Sequence, residues 1–159
     1  MSLDNLKYAG KLHVTLRDEN GNVKDYRKVD NAITNLGLDY LIKTTMDSSL
    51  TAMTVFYIGS TASAGAAAAA DTTAATSENF RLAFTYATGA TVGRGSATAT
   101  FGASGAGGDT TTGIREAGIF NGLDGANSGD GILFARALFT AVNKGESDSL
   151  EIKWDISYS

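Results

Sequence analysis

The sequence predicts a mainly β protein: an antiparallel β-sandwich, jelly-roll-like or otherwise Greek key, of about eight strands, with one short α-helix near residues 34–45. Three observations lead there. The last third holds three strand-length runs, 113–120, 132–139 and 150–158. In the final one Leu150, Ile152, Trp154, Ile156 and Tyr158 alternate with Glu151, Lys153, Asp155 and Ser157. Successive side chains of a strand point to opposite faces, so that run has one apolar and one wet face. Second, clusters of Gly, Asn, Asp and Ser over 121–131 and 143–149 separate the runs as turn residues do. Third, the chain has 19 glycines and no proline, so glycine punctuates many tight turns. The three runs are expected to form a meander on which the rest packs.

The earlier elements follow in order. Leu12, Val14 and Leu16 alternate over 11–17, and Asn20-Gly21 is a strong hairpin signal because its turn favours positive φ. Residues 23–29 return as a charged strand, with Lys24, Asp25, Arg27 and Lys28 suited to an edge. Thr34 or Asn35 can cap the helix, and Leu38, Leu41 and Ile42 give it an apolar stripe. Residues 54–59 are a short apolar strand. Residues 60–77 are Ala, Thr, Ser and Gly with little to anchor a helix, and read as a surface loop ordered against something else, such as a neighbouring subunit. Phe80, Leu82, Phe84 and Tyr86 alternate as one strand, and 93–102 pairs with it through Thr88-Gly89-Ala90-Thr91.

At 159 residues this is one domain, 1–159, able to bury a core, with residues 1–9 as a candidate N-terminal arm. The absence of cysteine removes disulfides, thiolate metal sites and a cysteine nucleophile. A net charge of −4 with scattered basic residues argues against a nucleic-acid face. No run approaches the ~20 apolar residues of a membrane span, and the start lacks a signal-peptide pattern.

The candidates for chemistry are few. His13, the one histidine, reads as a solvent-facing strand residue beside the sharper reading of a base or metal ligand. Asp18, Glu19 and Asp25 surround the first hairpin, and Asp124 and Asp130 lie in the 121–131 loop. Neither set matches a full calcium loop with its closing Glu, and a plain turn is the simpler reading. Gly93-Arg94-Gly95-Ser96 lacks the Lys-Ser/Thr of a phosphate loop. Arg115, Glu116 and Arg136 read as a cross-strand or inter-subunit ion pair before a catalytic one. No enzyme, cofactor or metal site is expected.

Several motifs in a set order carry a resemblance. They are Asn31-Ala32-Ile33-Thr34-Asn35-Leu36-Gly37 opening the helix, Glu116-Ala117-Gly118-Ile119-Phe120, Ala135-Arg136-Ala137-Leu138-Phe139, and Leu150-Glu151-Ile152-Lys153-Trp154. Together they resemble the small structural proteins of tailed-bacteriophage virions, over most of the chain except the Ala-rich loop. The resemblance implies a non-enzymatic β-sandwich virion component, made in the host cytoplasm. A small domain used in many copies fits a capsid decoration, or cement, protein on the major capsid protein lattice, self-associated as a dimer or trimer, without nucleic acid or membrane. The alternative is a tail-fibre, baseplate or receptor-facing carbohydrate-binding domain using Tyr8, Tyr26 and Tyr57. On the decoration reading the expected partner contacts are Leu3, Leu6, Tyr8, Ala66, Ala68, Ala70, Arg94, Arg115 and Glu116.

Overall fold

The computed structural model describes residues 7–44, 46–47, 49–50, 52–59, 67–71, 78–103, 111–121 and 131–158. In them are β1 (Tyr8–Arg17), β2 (Val23–Asp30), β3 (Ala32–Ile33), α1 (Asn35–Thr44), β4 (Val55–Gly59), β5 (Glu78–Ala83), β6 (Thr85–Thr88), β7 (Arg94–Phe101), β8 (Thr111–Phe120), β9 (Leu133–Lys144) and β10 (Ser149–Tyr158). They form two antiparallel five-stranded sheets: sheet A in the order β2-β1-β10-β7-β6, and sheet B in the order β3-β9-β8-β4-β5. The β-sandwich of the sequence reading is present.

The inward residues follow from the alternation. Sheet A contributes Leu12, Val14, Leu16, Phe101, Leu150, Ile152 and Trp154. Sheet B contributes Phe56, Ile58, Ile114, Ala117, Ile119 and Ala135. Burying each large apolar side chain contributes about 1.5–3 kcal/mol, so this interlayer is the main source of stability. Trp154 and Phe56 meet across it with ring centroids 5.9 Å apart.

Several expectations are corrected. The three terminal runs are not one meander. β8 pairs with β9, but β10 crosses to sheet A and inserts between β1 and β7. It thus returns beside β7, as a Greek-key connection does. The 79–87 run is two strands. β5 pairs with β4 in sheet B, whereas β6 pairs with β7 in sheet A. The switch falls at Phe84, whose ring packs 4.7 Å from that of Phe56. With the two-residue β3, this split raises the strand count to ten. The first hairpin is closed by Asp18 more than by an Asn-Gly turn. Its carboxylate accepts from the Asn20 and Asn22 N–H groups at 2.9 and 2.8 Å, while Gly21 supplies the positive φ of 82°.

Thr34 is the helix cap. Its hydroxyl accepts from the Gly37 N–H at 2.9 Å and donates to the Leu133 carbonyl, so the cap also ties α1 to β9. The apolar stripe is rotated from the expected one. Thr34, Gly37 and Tyr40 are buried and Leu41 packs on the core, while Leu38 and Ile42 face solvent. Gly37 explains the rotation: a Cβ there would lie 2.8 Å from the Phe134 Cα, so the helix rests its glycine directly on the β9 backbone. Thr34→Ala is expected to lower the stability of the full chain by about 1–2 kcal/mol, read as a shift of the urea midpoint with unchanged slope. A shift below a few tenths of a kcal/mol would remove Thr34 from this role.

Candidate functional site

The second face of sheet B is itself buried. Tyr57, Phe120 and Leu133 form a small apolar cluster there. Beside it the cross-strand register sets Arg81, Tyr57, Gly118 and Arg136 in one row. Arg136 donates to Glu116 at 2.7 Å and to Asp71 at 2.7 Å, and the Tyr57 hydroxyl donates to the other Glu116 oxygen. Arg81 lies 4.1 Å above the Phe120 ring. Burial, with the Glu116 charge beside it, holds the Tyr57 hydroxyl well above the ordinary tyrosine range. Hydrogen bonding to Glu116 keeps Arg136 charged. A fully buried carboxylate bonded to Arg136 and the Tyr57 hydroxyl is a structural knot. Glu116 has no exposed surface, which removes it from the candidate partner contacts. It makes the cross-strand ion pair with Arg136, while Arg115 on β8 faces solvent.

Asp71 extends this knot to the Ala-rich segment. The Asn35 N–H donates to the Ala69 carbonyl at 2.7 Å, and the Ala68 N–H donates to the Asp71 carboxylate at 2.9 Å. Residues 67–71 are therefore ordered against their own helix and sheet. Ala68 and Ala70 remain exposed. On α1, Leu38 is 39 % and Ile42 68 % exposed, and Met46, two residues past the helix end, is 88 % exposed. This is the helix-side surface. Leu3, Leu6 and Ala66 lie outside the described residues, as do Asp124 and Asp130.

The opposite side of the sandwich is the outer face of sheet A, and it is polar. His13 Nδ1 is 2.7 Å from the Tyr26 hydroxyl. Its Nε2 is 3.1 Å from Asp155 at ion-pair distance, although off the line of a hydrogen bond. With both ring nitrogens facing partners, this arrangement presents neither to a substrate. Among the described residues no three His, Asp or Glu side chains converge as a metal site, and Asp18 spends its carboxylate on its own turn. No helix among them is long and apolar enough to cross a membrane. Tyr8 and Arg94 lie at the same end of sheet A on strands either side of β10, Tyr8 opposite Tyr158 and Arg94 opposite Ser157. A groove of about 540 Å³ opens there. Sequence reasoning missed it because its walls come from β1, β2, β7 and β10, which only the sheet order brings together. Tyr57 is fully buried and cannot serve as an exposed aromatic; Tyr26 is 48 % exposed.

Comparisons of the chain with protein-family models, with curated proteins and with solved structures give no match.

The acid side of the stability profile follows from these contacts. Hydrogen bonding from Asn22 lowers the Asp18 carboxyl, and Lys24 lowers Asp148. Burial pushes Asp71 up, but the Ala68 N–H and Arg136 outweigh it and leave it lowered. A carboxyl lowered by folding contributes stability above its unfolded pKa of about 3.9, and loses it as pH falls through the folded value. The urea midpoint is expected to be flat from about pH 7 to 5 and to fall below about pH 4. Asp71→Asn and Asp148→Asn should each flatten that fall; a midpoint rising on acidification would contradict the assignment.

Proposed function

We propose that the chain is a non-enzymatic structural protein of a tailed-phage virion, a decoration protein that binds the assembled head lattice through its helix side. The observation that carries this reading is the set of exposed apolar side chains on and just beyond α1, Leu38, Ile42 and Met46, with Ala68 and Ala70 exposed in the segment bonded to the helix start. Exposed apolar side chains grouped on one element mark an association surface. The Arg136 pairs with Glu116 and Asp71 tie the 67–71 segment to sheet B, and the Asn35 N–H bond to the Ala69 carbonyl ties it to α1. The small Ala side chains let a partner backbone approach at little side-chain entropy cost. The motif order that resembles phage structural proteins supports the same reading. A protein that binds only the assembled shell stabilises that shell by mass action, and self-association multiplies the attachment points.

The test is rebinding to heads stripped of this protein. Ile42→Asp and Met46→Asp change solvent-facing residues, so the fold should persist while lattice affinity falls by about ten-fold or more, roughly 1.4 kcal/mol. Rebinding unchanged in the double variant would overturn the helix-side assignment. Copy number in purified virions, by gel densitometry, separates a head protein from the rival low-copy tail or receptor-facing role.

A further inference from the structure

The groove on sheet A has a charge balance that specifies a ligand. On the outer face Lys11 stands opposite Asp30 on β2 and Asp155 on β10. Asp155 in turn stands opposite Ser96 on β7, and Ser157 stands opposite Arg94. All six residues line the groove, together with small residues that leave its base open. Its volume, about 540 Å³, is in the range of small-molecule sites. Most of its charges are already matched. Lys11 pairs with Asp30 at 2.8 Å, and Asp155 contacts His13 at 3.1 Å and Lys153 at 3.2 Å. Arg94 is the exception, since its guanidinium has no ion-pair or hydrogen-bond partner among the described residues.

A neutral ligand would leave Arg94 unmatched. A dianion such as a phosphate monoester would be repelled by Asp30 and Asp155, because two carboxylates against Lys11 and Arg94 leave the groove near neutrality. A single carboxylate satisfies Arg94 by a bidentate pair, the planar geometry that guanidinium favours. Asp155 keeps free acceptor sites for hydroxyl donors, and the Ser96 and Ser157 hydroxyls donate or accept as needed.

We propose that this groove binds an acidic saccharide, a sugar carrying one carboxylate, with Arg94 holding the carboxylate and Asp155 and Ser96 taking the hydroxyls. The proposal stands apart from the head assignment, because the groove is lined by sheet A strands and none of its lining residues belongs to α1 or to residues 67–71. The test titrates the isotope-labelled full chain with D-glucuronate, D-glucose and acetate at constant ionic strength, following backbone amide shifts. Glucuronate should saturate shifts at Arg94, Ser96, Asp155 and Ser157 with a Kd at least about ten-fold below those of glucose and acetate. Arg94→Gln should erase that gap and leave the glucose titration unchanged, whereas Ile42→Asp should leave every titration unchanged. Glucuronate no tighter than acetate would mean an adventitious anion only. Glucuronate no tighter than glucose, or shifts confined to other residues, would likewise overturn the proposal.

Discussion

Replacing Arg136 with alanine is expected to destabilise the fold by about 3–5 kcal/mol, the usual consequence of removing one partner from a buried ion pair. Glu116 is fully buried, so without Arg136 its charge would lose the guanidinium 2.7 Å away. Asp71 would lose its tie to the sheet at the same time. A domain of this size has a total stability of about 5–15 kcal/mol, so the variant should unfold at a much lower urea concentration. Removing both charges is a different matter. Arg136→Met with Glu116→Leu keeps apolar volume and removes both charges of the buried pair, and should recover part of the loss, with the part-exposed Asp71 still lacking its cation. The measurement is a double-mutant cycle from urea unfolding at pH 7. A single-variant loss below about 1 kcal/mol would mean that Glu116 behaves as a hydrated surface carboxylate, contrary to its burial.

The same pair shows where the sequence was opaque. β1 and β10 were legible because each has one wet face, and their alternation survives into the sandwich. β8 and β9 have no wet face over most of their described length: Glu116 to Phe120 and Leu133 to Ala137 are buried throughout. A strand buried on both sides reads as a near-continuous apolar run. Here Arg136 and Glu116 interrupted that run; their cross-strand pairing was legible, but nothing local shows that the pair is buried. The placement of β10 was hidden for a different reason. Sequential strands usually neighbour one another, and the apolar face of 150–158 satisfies either sheet equally well. The helix stripe failed because a glycine carries no hydrophobic signal, while Gly37 is the residue that touches β9. Arg94 was visible as a residue, but its lack of a partner and its place in a groove depend on the register of β1, β2, β7 and β10.

Gly118→Ala is the second substitution expected to be severe, although it adds one methyl group. Gly118 lies between Tyr57 on β4 and Arg136 on β9 in the same cross-strand row. A Cβ there would overlap the edge of the Tyr57 ring and fall 2.8 Å from the Ala135 carbonyl oxygen. The carbonyl belongs to the backbone of the neighbouring strand and cannot swing away. The ring is held at one end by its bond to Glu116 and along its side by Phe120, whose centroid is 5.4 Å distant. Overpacking of a buried site costs about 1–3 kcal/mol, and with both neighbours fixed the loss should lie at the top of that range. The tyrosine supplies the control. In a Tyr57→Leu background the ring is gone, so Gly118→Ala should cost about 1–2 kcal/mol less than in the parent chain. Equal costs in the two backgrounds would place the obstruction at the β9 backbone alone, and the glycine would then be required by strand spacing rather than by the knot.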